Sequence, residues 1–212
     1  MEGLRGGRWS GLLLLVAGVL FGGFMFLHPP NDAVGAMQPI WVPVHVAWLL
    51  AYGLMVCGWV PLYGWLGMRG RWVALGYGLA FLGLVLSLPI AVWDSFVVPE
   101  LAVHAPGLIK LIEETSIEAP ALVFRGLVFL GIFVFSVGFG VLGVTGWRSG
   151  LWSGLTGLGL AIGAPLFWLG ALFLSQGPIG NGVTECGAVL FGIGMMGLGW
   201  QVWRGVESEA EG

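Results

Sequence analysis

ALVFRGLVFLGIFVFSVGFGVLGVTG spans residues 121–146 and decides the fold. It is apolar throughout except for a few small polar residues, and its only charged residue is Arg125. A helix rises 1.5 Å per residue, so roughly 20 apolar residues cross the hydrocarbon core of a bilayer. The run is long enough for this, and almost nothing in it needs water. The sequence therefore predicts a transmembrane helix here.

Five further apolar runs have the same character, and short polar breaks such as Met68–Arg71 separate them. The predicted fold is all-α: a polytopic six-transmembrane-helix bundle with spans at about 9–27, 44–67, 72–93, 121–146, 151–175 and 183–203. Residues 1–206 form a single transmembrane domain, and residues 207–212 an acidic cytoplasmic tail. The long loop 94–120 contains an amphipathic stretch, Pro106–Glu114, which predicts a short interfacial helix.

Composition supports a lipid environment. The chain is 58% hydrophobic and 9% charged, whereas soluble domains have about 25% charged residues. It has 39 glycines and 12 tryptophans, which are typical of close helix packing and of membrane interfaces, respectively. The net charge of −3 gives no basic surface for nucleic acid. The expected partners are the lipid bilayer and either a small-molecule ligand or other membrane subunits.

The basic residues predict the orientation, because cytoplasmic loops of membrane proteins are enriched in Lys and Arg. Lys110 and Arg125 fall on one side, and the other six fall on the opposite side: Arg5, Arg8, Arg69, Arg71, Arg148 and Arg204. Both termini are therefore expected in the cytoplasm, in a multi-pass protein of the bacterial inner (plasma) membrane. The first apolar run is longer than the core of a signal peptide, so a retained helix is expected.

Polar residues concentrate on the predicted extracytoplasmic side. All three histidines and seven of the eleven carboxylates fall there. His28 ends the first span and His45 begins the second, so the two can be neighbours. Arg125 needs a carboxylate partner at this depth, with Asp94, Glu118 and Glu185 available. Such a pair either locks helices together or anchors an anionic ligand. The candidate ligand-binding residues are His28, His45, Asp94, Arg125, Glu185, Trp41 and Trp93.

The histidines also raise the question of a metal ion. Imidazole and carboxylate donors suit zinc, iron or copper, and the candidate metal ligands are His28, His45 and His104. The cofactor is left unknown, with a metal ion or a haem as the two options, because motifs such as H-x-x-x-H are absent from the sequence. Catalytic residues are unknown and enzyme activity is uncertain, since the sequence also lacks a G-x-S-x-G nucleophile motif.

Small residues and prolines within the spans predict helix packing and helix shape. Three small-residue pairs are expected to face neighbouring helices: Gly18/Gly22, Ser136/Gly140 and Gly194/Gly197. Three prolines interrupt the second, third and fifth spans and are expected to kink them: Pro61, Pro89 and Pro165.

Two resemblances bear on function. A glycine-rich first helix ending at His28-Pro29, a second helix opening near His45, and the later Trp93-Asp94 and Val97-Val98-Pro99 resemble uncharacterised bacterial six-helix multi-pass membrane proteins, a domain of unknown function. Six helices with polar loops clustered outside are similar in architecture to the substrate-binding subunits of energy-coupling-factor transporters. That resemblance implies a partner surface on the first helix, where Gly18 and Gly22 lie.

Three classes of function follow. The favoured interpretation is a binding or transport subunit with a polar pocket open to the extracytoplasmic side. The alternatives are a structural or accessory subunit of a membrane complex, and a metal- or haem-dependent membrane enzyme using the outer histidines and carboxylates.

Overall fold

The computed structural model describes residues 2–30, 32–66, 70–110, 119–174 and 178–211. All regular secondary structure within these ranges is helical. In chain order the elements are α1 (Glu2–Gly23), a 3₁₀ turn (Phe24–Leu27), α2 (Ala33–Ala36), α3 (Trp41–Leu66), α4 (Arg71–Val92), a π turn (Trp93–Val97), α5 (Val98–His104), α6 (Pro106–Lys110), α7 (Ala119–Arg148), α8 (Gly154–Phe173) and α9 (Pro178–Glu211).

Six of the described helical segments are long and apolar enough to cross a membrane. They are Gly7–Leu27, Trp41–Gly64, Arg71–His104, Leu122–Arg148, Gly154–Leu172 and Ile179–Gly205. The predicted all-α chain with six membrane-length helices is therefore confirmed. Each segment buries only half of its residues or fewer inside the protein, which leaves wide apolar faces uncovered.

The third segment differs from the prediction, which ended it at residue 93. The helix instead continues through the π turn and α5 to His104. Pro99 has no N–H to offer the carbonyl four residues earlier, and its ring crowds that carbonyl. The wider π turn directly before it accommodates the missing bond, and the Ser95 hydroxyl caps the Ala91 carbonyl at 2.6 Å. Asp94 and Pro99 look like a loop in the sequence but lie in continuous helix.

Other boundaries also move. The second span begins at Trp41 rather than 44, because Pro43 falls in the first turn, where no intrahelical N–H bond is required. The membrane-length part of the last helix is Ile179–Gly205, close to the predicted 183–203, and the helix itself runs from Pro178 through the acidic tail to Glu211. A short helix is seen over Pro106–Lys110, within the stretch predicted to form an interfacial helix, and the rest of that stretch lies outside the described residues.

Glycine controls how closely the helices approach. A Cβ added to Gly18 on α1 would lie 2.6 Å from the carbonyl oxygen of Gly192 on α9, and Gly22 packs against the same residue. Gly194 and Gly197 likewise face α8. The predicted faces at Gly18/Gly22 and Gly194/Gly197 are confirmed as packing surfaces within the chain, and the Gly18/Gly22 face is already occupied by α9.

The Ser136/Gly140 face is wrong at its second member. Among the residues the structure describes, nothing lies within 4 Å of a Cβ placed on Gly140. Helix α7 instead packs through Gly138, whose neighbour is Ala80 on α4. Helices α4 and α7 thus pack two residues away from the predicted pair.

The bundle has two ends that differ in chemistry. At one end His28 meets His45, and Trp41 meets Asp94; we call this the histidine end. At the other end Arg8 lies over the ring of Trp203, and α4 begins at Arg71 while α7 ends at Arg148; we call this the arginine end. Between the two ends, fully buried aromatic rings fill the core where the helices meet: Phe21, Tyr52, Phe135, Phe139 and Phe191.

The connection between α1 and α3 folds over the histidine end. The Asp32 carboxylate accepts a hydrogen bond from the Gly35 N–H at 2.7 Å and starts helix α2. Ala36, Trp41, Val98 and Ala102 then form a small buried cluster, separate from the main core, with Trp93 packed against it. The proline-rich loop is therefore a packed cap that rests on α5.

Candidate functional site

Two histidines from neighbouring segments meet at the histidine end. His28 follows the 3₁₀ turn after α1, and His45 lies in the first turns of α3. The Nε2 atoms of the two rings are 3.2 Å apart, and the ring centroids are 4.8 Å apart in an edge-to-face arrangement. His45 is buried, with 3% of its surface exposed, whereas His28 is half-buried. The predicted neighbourhood of His28 and His45 is thus seen as a direct contact.

The other nitrogen of each ring is held by a backbone carbonyl. His28 Nδ1 faces the Pro29 oxygen at 2.5 Å, and His45 Nδ1 faces the Trp41 oxygen at 2.9 Å. A carbonyl only accepts hydrogen bonds, so each Nδ1 must carry the proton. Burial lowers the pKa of His28 below its ordinary value, although the bond to Pro29 opposes the shift. The neutral ring is therefore the favoured form of His28.

Trp41 organises this pair from one side. Its ring stacks on His45 with centroids 4.2 Å apart, and it also lies 5.5 Å from the ring of His28. The indole N–H donates to the backbone oxygen of Asp94 at 2.7 Å. Trp41 is almost completely buried. It consequently connects the histidine pair to the π turn of the third span.

Below the histidines, α3 presents further polar atoms to the interior. Trp48 lies three residues after His45, and Tyr52 lies seven residues after His45, so all three lie on one face of the helix. Trp48 also approaches Trp168 of α8, with centroids 6.0 Å apart. Within the described part of the chain, the Trp48 and Trp168 indole nitrogens and the Tyr52 hydroxyl are buried without a hydrogen bond of good geometry, and the Tyr52 hydroxyl lies close to the Trp48 and Ser87 side chains. Buried polar groups of this kind commonly mark an ordered water or a ligand.

The remaining predicted residues are placed around this centre. Trp93 contacts Phe124, with tilted rings whose centroids are 5.2 Å apart, which brings the start of α7 and its Arg125 to the same end. Asp94 and Arg125 are both half-buried, and each has interaction partners within the protein. The pairing of Arg125 with Asp94 or Glu185 stays a prediction, and Glu118 lies outside the described residues.

Glu185 and His104 lie on α9 and α5, outside the pair itself. Glu185 is half-buried in the early turns of α9, next to Thr184, whose hydroxyl bonds the Gly180 carbonyl at 2.9 Å. His104 faces Glu100 at 3.6 Å, and both side chains are about three quarters exposed, at 74% and 76%. The contacts of His104 are therefore with its own helix, α5.

The geometry bears on the two cofactor options. Among the described residues, no group of three or more His, Cys, Asp or Glu side chains is arranged to hold a metal ion. A haem with both histidines as axial ligands needs its two nitrogens about 4 Å apart, on opposite faces of the ring, given bonds of about 2.0 Å. The observed 3.2 Å separation is too short, and the two rings do not fit a haem between them.

A surface groove of about 450 Å³ lies at the arginine end, away from the histidines. Its lining is mainly apolar and includes Leu15, Thr156, Met196 and Trp200. Gln201 enters it from α9 and donates to the Thr156 hydroxyl at 3.2 Å. The largely apolar lining fits an acyl chain or a neighbouring helix better than a polar ligand.

Trp48, Tyr52 and Trp168 were not among the predicted site residues. A signal for two of them is present in the sequence: Trp41, His45, Trp48 and Tyr52 recur at spacings of three and four along one predicted span. Trp168 gives no such signal, because its approach depends on how α8 packs against α3. No family model, curated protein or solved structure matches the chain.

Proposed function

We propose that the chain is a membrane binding or transport subunit whose ligand site is the histidine end. The observation that carries this proposal is the contact between His28 Nε2 and His45 Nε2 at 3.2 Å, half-buried in an otherwise apolar protein. Ionisable and polar groups at membrane depth are costly and mark functional sites by default. Here they are held by defined backbone contacts, and His45 is buried.

The buried donors below the pair support the same proposal. The sequence His45, Trp48, Tyr52 leads from the end of the bundle toward its centre along one face of α3. The buried indole N–H groups of Trp48 and Trp168 and the Tyr52 hydroxyl are suited to a ligand that offers hydrogen-bond acceptors. A ligand bound at the histidines would reach these donors without leaving the bundle.

The orientation belongs to the proposal as well. With the arginine end in the cytoplasm, in accordance with the distribution of basic residues, the histidine end opens to the extracytoplasmic side of a bacterial inner membrane. The cap, which is the proline-rich loop with α2 resting on α5, would then cover the entrance. Movement of this cap gives a ligand access to the buried His45.

A thermal-stability screen tests the proposal. The purified full chain in detergent is melted with a panel of ions and small polar molecules, beside a His45→Phe variant that keeps an aromatic ring. We expect at least one compound to raise the Tm of the wild type and not of the variant. A Cys57→Ser variant, altered at an exposed position, is the control and should respond as the wild type does.

Two results would count against a binding subunit. One is a panel with no stabilising compound, and the other is a set of stabilising compounds that act equally on wild type and His45→Phe. Uptake of the active compound into liposomes then distinguishes transport from binding alone.

A further inference from the structure

The protonation pattern of the histidine pair carries a more specific inference, which rests on the proposed function. Both Nδ1 atoms face carbonyl oxygens, at 2.5 Å for His28 and 2.9 Å for His45. Each Nδ1 must therefore donate, and a neutral imidazole has only one proton. Both Nε2 atoms are left with a lone pair, and the two atoms lie 3.2 Å apart.

Two lone pairs at this distance repel, and a positive centre between them removes the repulsion. We propose that a divalent transition-metal ion of the zinc class binds between Nε2 of His28 and Nε2 of His45. Neutral imidazole nitrogen suits zinc, nickel and copper, whereas magnesium and calcium prefer oxygen. The two nitrogen donors therefore favour zinc, nickel and copper over magnesium and calcium.

The distance fits such an ion. Zinc–nitrogen bonds of about 2.0–2.1 Å and a nitrogen separation of 3.2 Å correspond to a ligand–metal–ligand angle of about 100°, near the tetrahedral value. The backbone also prepares the ligands. A metal-binding histidine commonly donates its second N–H to a carbonyl, which fixes both the tautomer and the ring orientation, as Pro29 and Trp41 do here.

The site is open. In the part of the chain that the structure describes, no third His, Cys, Asp or Glu completes a cluster with the pair. Two of four tetrahedral positions thus remain for water or for a donor atom of a bound ligand. Structural zinc sites are closed by four protein ligands, whereas sites that exchange or activate a ligand keep positions free. An ion held by two imidazoles is exchangeable, which suits a binding or transport subunit.

The test uses the full chain in detergent, freed of metal with a chelator and titrated with zinc chloride. Calorimetry should show one zinc ion per chain, and nickel chloride should compete for the same site. Magnesium chloride should give no heat. His28→Phe and His45→Phe keep an aromatic ring but lose the nitrogen, and each should weaken zinc binding by at least about tenfold.

His104→Phe is the matched control, because that ring is exposed and lies on α5 beside Glu100. It should bind zinc as the wild type does. X-ray absorption of the zinc-loaded wild type should show a shell with two imidazole nitrogens. This measurement needs no variant. It therefore tests whether two imidazoles coordinate the zinc ion even where a variant fails to fold.

Three outcomes would overturn the inference: no zinc binding by the wild type, zinc binding unchanged in both Phe variants, or an absorption spectrum without imidazole. Absence of zinc binding, together with a wild-type stability that depends on one bound proton, would assign a shared proton to the pair instead. If zinc fails but another compound stabilises the wild type and not His45→Phe, the proposed function stands and the metal site alone is refuted.

Discussion

Trp41 and Asp94 are joined by a hydrogen bond from the indole Nε1 to the backbone oxygen, 2.7 Å long. The bond connects the first turn of α3 to the π turn of the third span, two segments far apart in the sequence. The same Trp41 ring stacks on His45. The position of the π turn is therefore coupled to the position of His45, the candidate metal-binding residue.

Replacing Trp41 with Phe should remove this bond while keeping an aromatic ring beside His45. We expect a loss of about 1 kcal/mol in unfolding free energy, since the Asp94 carbonyl loses its donor within an apolar region. Unfolding in mixed detergent micelles measures the loss. Trp9→Phe, at a ring that is 65% exposed, is the control, and equal losses in both variants would contradict the role of the bond.

Gly76 and Gly78 on α4 form a matched pair for helix packing. A Cβ at Gly76 would lie 2.6 Å from the backbone nitrogen of Leu142, whereas around Gly78 the described residues leave open space. Gly76→Ala should therefore cost about 1–3 kcal/mol, because α4 and α7 must separate. Gly78→Ala should cost nothing and can gain up to about 1 kcal/mol from helix propensity. Denaturation midpoints of the two variants check the difference, and similar midpoints would refute it.

Tyr77 and Trp59 exchange two hydrogen bonds between α3 and α4. The Tyr77 hydroxyl donates to the Trp59 carbonyl at 3.0 Å, and the Trp59 indole donates to the Tyr77 carbonyl at 3.2 Å. Tyr77→Phe should lower unfolding free energy by about 1 kcal/mol, because one of the two bonds is lost. Tyr63→Phe, at a ring that is 48% exposed, should be nearly neutral in the same melt. A neutral Tyr77→Phe would show that the pair contributes little.

Asp32 should control the order of the cap. Asp32→Ala removes the acceptor for the Gly35 N–H and should cost about 1 kcal/mol of local stability. Asp32→Asn retains an acceptor oxygen and should keep α2 folded. Hydrogen exchange of the peptide that contains residues 33–37 measures the effect, with faster exchange expected in Asp32→Ala only. Equal protection in both variants would mean that packing on α5 suffices to hold the cap.

Cysteine labelling should establish the orientation. Cys57 and Cys186 are free and exposed, so both are first replaced by Ser. Val34→Cys lies in the cap, and Ser149→Cys lies in the turn after α7. In intact cells an impermeant maleimide should label position 34, and position 149 only after permeabilisation. The reverse pattern would place the histidine end in the cytoplasm.

Much of the fold could be predicted because lipid imposes a simple rule, that long apolar runs become helices. The rule failed at Asp94 and Pro99, where a carboxylate and a proline look like a loop. Backbone hydrogen bonding widens to a π turn there and keeps the helix intact, and nothing local in the sequence signals this. The end of α9 was missed for a related reason, since acidic residues form helix as readily as apolar ones.

The candidate site was predictable only in outline. Chain connectivity alone makes His28 and His45 neighbours, because one loop joins the two helix ends. Which nitrogen of each ring faces a carbonyl depends on side-chain orientation, which the sequence does not encode locally. The approach of Trp168 to Trp48 depends similarly on how α8 packs against α3.

The π turn at Trp93–Val97 sets the angular position of everything that follows it. Compared with an uninterrupted α-helix, it holds one residue more, and each helical residue turns the chain by about 100°. If the same five residues formed ordinary α-helix, Val98 and Ala102 would turn by about that angle, away from Ala36 and Trp41, with which they are buried. The π turn thus acts as a rotational spacer that takes up one residue, and closure of the cap over the histidines depends on it.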